Sequence, residues 1–153
     1  MQLAAPTAAD WFEAIAQEAI EQNPAARVEC PVKHHFLPGL YIREFHMPKD
    51  AYVASVIHNV EHPFFITQGV VTVFTDDGEG QTYEAPFSGI TQPGTRRMLY
   101  SHEDVIWITI HPNPDNETDP DKIVARVTQP HTNPLTGLDH RSMMAAQYPA
   151  LTE

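Results

Sequence analysis

The stretch SVIHNVEHPFFITQGVVTVFTDDGE, residues 55–79, decides the fold. FFITQ and VVTVFT are short apolar runs of strand type on either side of Gly69, a position that suits a bulge or a tight bend. DDGEG at 76–80 is a turn signal. Upstream, GLYIREFHMP alternates, with Leu40, Ile42, Glu44 and His46 on one side and Tyr41, Arg43, Phe45 and Met47 on the other. AYVASVIH follows, bounded by Pro48 and Asp50. Downstream, QTYEAP, GITQPG, RRMLYS and VIWITIH continue the series. Short strands with turns every 8–12 residues or so, and hardly any helix between them, predict an antiparallel sandwich or barrel over residues 28–112.

Flanking segments differ from this core. Residues 1–27 read as a helical segment with a helix over 7–22, capped by Thr7 or Asp10, with Glu13 three residues after Asp10 as in a capping box. Trp11, Phe12, Ile15, Ala19 and Ile20 fall near helical spacing and predict an apolar face packed on a sheet or on a second subunit. Asn23 and Pro24 stop the helix. Residues 113–153 read as a proline- and acid-rich loop, one further edge strand from KIVARV at 122–127, and an irregular tail with a short helix around 141–147.

A chain of 153 residues supports one domain with a sizeable core. With 20 acidic and 9 basic residues the net charge is −11, which argues against a nucleic-acid backbone or an anionic membrane as partner. Cys30 is the one cysteine, so there is no internal disulfide and a reducing compartment is expected. The N-terminal stretch lacks the basic start and continuous apolar core of a signal peptide, and no run approaches the roughly 18 apolar residues of a membrane span. The expectation is a soluble, cytoplasmic protein.

The chemistry centres on His58 and His62. HNVEHPFFITQGVVTVFTDDGE followed by YEAPFSGITQPGTRRMLYSHEDVIWITIHP resembles the two motifs of a cupin domain, across roughly residues 40–112. Cupins are double-stranded β-helix barrels of the jelly-roll type, and the resemblance implies that fold here. Through GLYIREFHMP, EHPFFITQG and PGTRRMLY the chain is also similar to uncharacterised phage-type cupin-like proteins, a likeness that carries no activity. The family's first motif sets a histidine pair, a glutamate and a glycine; its second sets a proline–glycine turn before a histidine. Aligned on Gly69, His62 stands at the family's glutamate, His58 at the second histidine and Val56 at the first. Pro93 and Gly94 form the turn, and Arg97 takes the remaining histidine position.

A guanidinium is a permanent cation and does not ligate metals, so the family's four-ligand centre is not encoded in this register. Two neutral imidazoles hold zinc, nickel, copper, iron or manganese only with a third ligand. His46, His102, His111 and Glu61 are the candidates. One reading is therefore a small-molecule-binding cavity with His58, His62 and Arg97 as candidate catalytic residues. In it Arg97 and Tyr100 bind a small anionic ligand, and His58, His62, His102 and His111 are candidate ligands of a divalent metal.

A second reading is a metal-free enzyme resembling sugar epimerases or isomerases. There His58 or His62 is the base, Glu61, Glu44 or Asp104 orients it, Arg96 and Arg97 clamp an anion, and Tyr100 or Tyr83 donates a proton. A third is a non-catalytic structural or assembly module, in which Glu44 or Glu61 neutralises a buried arginine. On a strand only one of Arg96 and Arg97 faces inward, and the other is expected in solvent. His34 and His35 read as surface residues and Trp107 as core. The resemblance implies a homodimer or higher homo-oligomer.

Overall fold

The computed structural model describes residues 5–139. Eleven strands and two α-helices follow one another in that span. Helix α1 (Ala8–Gln22) leads into β1 (Val32–Leu37), β2 (Gly39–Met47), β3 (Tyr52–Ala54), β4 (Ile57–His58) and β5 (His62–Gln68). Next come β6 (Val70–Thr75), β7 (Gly80–Glu84), β8 (Phe87–Thr91), β9 (Arg97–Ser101) and β10 (Val105–Asn113). Helix α2 (Pro120–Val127) and β11 (Thr128–Gln129) close the described chain.

One sheet runs β1-β2-β10-β5-β8 and the other β3-β9-β6-β7, with every pairing antiparallel. Apart from the hairpins β1–β2 and β6–β7, which stay within one sheet, and β4, which pairs only with β11, the chain crosses between the two sheets from strand to strand in the two-Greek-key order of a jelly roll. This is the double-stranded β-helix expected from the sequence, with β1 added at one edge. Gly69 makes the corner where the chain leaves β5 for β6 and changes sheet. Its φ is +90°, and a Cβ there would collide with the Asp104 carbonyl.

The antiparallel register stacks inward residues in layers. Trp107 lies opposite Phe45 and Ile66; one step along, Thr109 lies opposite Arg43 and Phe64; one step further, His111 lies opposite Tyr41. At one end of the barrel the layers are apolar: Cys30, Phe45, Met47, Phe64, Ile66, Val71, Leu99, Val105 and Trp107 form the core. At the other end the same strands turn polar. Tyr41, Arg43, Phe45 and Met47 share the inward face of β2, as the alternation predicts.

Helix α1 docks differently from expectation. Thr7 is the N-cap, and it exchanges hydrogen bonds with Asp10 in a capping box, so Asp10 holds the position predicted for Glu13. The apolar positions do not define the buried face: Trp11 is 55% and Ile15 is 64% exposed, while Ala9, Asp10 and Glu13 are buried. The reason is Arg96. It is not in solvent as predicted; its side chain is 1% exposed and reaches Asp10 at 2.7 Å and Glu13 at 2.6 Å. His131 adds a 2.7 Å contact to Asp10, and Asn133 donates to Glu13 at 3.1 Å. A buried guanidinium requires compensation, and the helix turns its acidic face inward to supply it. Burial pushes the Asp10 carboxyl up, but hydrogen bonds from the Thr7 backbone, His131 and Arg96 outweigh it and hold the group below its ordinary value.

KIVARV is not an edge strand. Asp119 caps a helix by accepting from the Asp121 amide at 3.0 Å, Pro120 fits the first turn, and Ile123 and Val127 bury one face. The strand falls just after it, where β11 pairs with β4. The short helix expected around 141–147 lies outside the described residues. Among the described residues no helix is long and apolar enough to cross a membrane.

Replacing Arg96 by methionine leaves Glu13 without a cation and Asp10 with the His131 contact alone, and we expect a loss of about 3–5 kcal/mol in denaturant melts. A loss below about 1 kcal/mol would show that helix docking does not depend on the ion cluster.

Candidate metal centre

Three imidazoles meet at the polar end of the barrel. His62 opens β5, His111 lies near the end of β10, and His58 sits on β4, held there by its pairing with Thr128 of β11. Ring centroids are 4.4 Å apart for His58 and His62, 4.6 Å for His62 and His111, and 5.8 Å for His58 and His111. One nitrogen from each ring lies within 4.8 Å of the other two.

Local hydrogen bonds orient two of the rings. His62 Nδ1–H donates to the Val60 carbonyl at 3.0 Å, which leaves the Nε2 lone pair free. Thr109 Oγ1 lies 2.9 Å from His111 Nε2, and His111 Nδ1 is buried with no hydrogen-bond partner. A buried, unpartnered nitrogen is costly unless something occupies it. Neutral imidazoles with free lone pairs are the donor set that zinc, copper, iron and nickel accept, so these residues fit a divalent metal.

Burial is the main reason these rings stay neutral. It pushes the His58 pKa down to about 2, with further lowering from His62, His111, Arg43 and Arg97. His111 is pushed down to about 3 by burial, then by His62 and Arg43. Burial lowers His62 as well, partly offset by its bond to Val60.

Two guanidiniums face the same cavity, which has a volume of about 340 Å³. Arg97 projects from β9, donates to Thr91 Oγ1 at 3.1 Å, and lies over the Phe64 and Trp107 rings at 5.0 and 6.0 Å. Arg43 projects from β2, with its guanidinium 5.0 Å from the Phe45 ring. Burial lowers the pKa of both. Tyr41 lies between His34 and His111, its hydroxyl 2.6 Å from His34 Nδ1. Helix α2 contributes Asp121, Val124 and Ala125 to the cavity wall.

His58, His62, Arg97 and His111 thus line one cavity, in line with the sequence-based placement. Other candidates stand elsewhere. His102 is exposed and bonded to Thr72 Oγ1 at 2.6 Å, away from the three histidines. Tyr100 is on the outer face of β9, bonded to Asp50 at 2.8 Å. His46 and Glu44 pair at 2.7 Å on the outer face of β2. Glu61 is exposed. No carboxylate hydrogen-bonds to any ring of the three-histidine cluster among the described residues, so the carboxylate-oriented dyad of the metal-free reading is not formed. Glu44 and Glu61 do not neutralise Arg97 either, which removes the carboxylate partners that the structural-module reading required. Arg43 was grouped by alternation with Tyr41, Phe45 and Met47 but not read as a site residue. The signal was present, because it stands two residues from Tyr41 and Phe45 on the core face of an alternating strand. His34, read as surface, contributes to the cavity wall.

No protein-family model and no curated protein matches the sequence. Solved structures of similar fold include a Neisseria meningitidis protein at 14% identity, covering 61% of this chain and 96% of that one, TM-score 0.49. A conserved Klebsiella pneumoniae protein with a double-stranded β-helix domain matches at 14% identity over 58% and 81%, TM-score 0.49. A cupin-2 domain protein from Shewanella frigidimarina matches at 10% identity over 61% and 92%, TM-score 0.45. The fold assignment stands on the chain's own strand order and register.

In the metal-free protein, nitrogen NMR should find His58 and His111 still neutral at about pH 4.5, below the ordinary histidine range. Their folded values lie below 6.5, so the unfolded chain takes up protons first. Stability is full above about pH 6.5 and falls as pH drops toward 3. Titration of either ring near its ordinary value would show a wet, open cluster.

Proposed function

We propose that the chain is a small-molecule-binding protein whose barrel cavity holds a divalent transition metal on His58, His62 and His111. A small anionic ligand binds beside it, with Arg97 as one of its partners. The carrying observation is the set of three ring nitrogens, one from each histidine, within 4.8 Å of one another; beside it, His111 Nδ1 is buried without a hydrogen-bond partner. When bound, the metal supplies a Lewis acid or a fourth coordination position for the ligand's oxygen. The chain's own residues do the rest. Val60 and Thr109 fix ring orientation, and the aromatic floor of Phe64 and Trp107 keeps Arg97 extended toward the cavity.

Elemental analysis of protein made without a histidine tag tests this reading. We expect one equivalent of zinc, nickel, iron or manganese in the wild type and in His102→Ala. The metal should be lost in the His58→Ala/His62→Ala double variant and in His111→Ala. Metal retained by the double variant, or no uptake by the wild type, would sink it.

The same reading includes a homodimer packed through the outer face of the five-stranded sheet. Leu40, Phe65 and Ile90 point outward there and are 40%, 37% and 52% exposed, and a second copy on this face would cover them. Sedimentation should give a dimer that Phe65→Glu dissociates; a monomeric wild type would refute it.

A further inference from the structure

We infer that the cavity ligand is a small dicarboxylic acid, gripped at its two ends by Arg43 and Arg97. The inference rests on the cavity reading above and names the chemical class that the cavity takes. It comes from how differently this chain treats the arginines along its barrel. Arg96, which ties α1 to the barrel, is given two carboxylates at 2.7 and 2.6 Å. Arg43 and Arg97 are given none. Among the described residues no hydrogen bond or ion pair reaches the Arg43 guanidinium; its neighbour is the Phe45 ring. Arg97 uses one donor, to Thr91. A guanidinium carries five N–H donors, so nearly all of both forks are unfilled. The three histidines supply no negative charge in either protonation state. Asp121, on α2, is the one carboxylate among the described lining residues, and it is exposed. Two half-buried cations without an internal counter-charge raise the free energy of the empty barrel, and an arriving dianion offsets that cost.

The geometry selects the class. Arg43 belongs to the five-stranded sheet and Arg97 to the four-stranded sheet, so the forks approach from facing walls. Each planar fork matches one planar carboxylate. Phe45, Val53, Leu99 and Trp107 line the same cavity and offer an apolar surface for a carbon skeleton. About 340 Å³ lies at the low end of the roughly 300–1,000 Å³ of small-ligand pockets, ample for a short dicarboxylate.

Calorimetry on the full chain, with succinate, glutarate and adipate as probes and butyrate and inorganic phosphate as controls, tests the inference. At least one dicarboxylate should bind about tenfold or more tightly than butyrate or phosphate, and Arg43→Met and Arg97→Met should each weaken it about tenfold or more. Arg43→Met should also raise the melting temperature of the ligand-free protein, whereas an arginine with a structural role would lower it. Equal binding of butyrate and the dicarboxylates overturns the inference. So does a preference for phosphate, or an Arg43→Met variant that melts lower and binds as before. Metal content measured on the same samples separates the two readings. A fully metallated protein with no dicarboxylate preference defeats this inference alone. Dicarboxylate binding that depends on both arginines in a chain that takes up no metal defeats the metal reading and leaves this one standing.

Discussion

The antiparallel register between β2 and β10 is the constraint on which the rest depends. Nine residues of each strand pair without a break, from Gly39 opposite Asn113 to Met47 opposite Val105. Because successive side chains point to opposite faces, a slip of one residue would turn Leu40, Ile42, Glu44 and His46 inward and send Arg43 out. The apolar end of the same ladder prevents that slip. Phe45, Met47, Val105 and Trp107 have nowhere else to go, and their burial fixes the positions of Tyr41, Arg43, Thr109 and His111 further along. The hydrophobic half of the barrel therefore positions the polar half, with no separate device for the site.

The polar half is where the chain departs from what stability alone would select. Arg96 shows the stabilising solution: a buried cation met by Asp10 and Glu13, with the helix rotated to supply them. Arg43 and Arg97 are left uncompensated in a protein that has 20 acidic residues available. The acidic excess lies outside the cavity, so the molecule carries a net charge of −11 around a positively charged hollow. At long range that exterior repels an anion; only inside, away from screening water, do the guanidiniums dominate. Attraction of that kind is local and short in range, which suits selection by shape and fork geometry rather than steering from afar.

Much of this was legible in the sequence because period-two alternation is a strong signal. GLYIREFHMP separated the two faces of β2, and Gly69 marked the corner between the sheets. His58, His62 and Arg97 could be placed in one hollow by motif register. What was not legible came from contacts distant in sequence. Trp11 and Ile15 sit at helical spacing, yet a cation more than eighty residues away rotates them outward, and no local pattern records that. KIVARV has the apolar content of a strand; the Asp119–Pro120 start, which reads as a helix cap, was the overlooked cue. His102 and His111 were equivalent as candidates until strand length was known. His111 shares the inward face of β10 with Trp107 and Thr109, whereas His102 lies in the turn before that strand.

The histidines and the arginines are not independent. Arg43 and Arg97 help hold the imidazoles unprotonated, which keeps their lone pairs available to a metal. The same cations oppose the arrival of a divalent ion, since like charges in a cavity of low dielectric repel strongly. An anion resting on the guanidiniums cancels that repulsion without reprotonating the rings. On the reading advanced here, ligand and metal therefore bind with positive coupling, and linkage makes the coupling mutual: whatever the anion adds to metal affinity, the metal adds to anion affinity. A cavity with three neutral imidazoles alone would couple metal and ligand only through direct coordination. The two unpaired arginines make occupancy of each site conditional on the other.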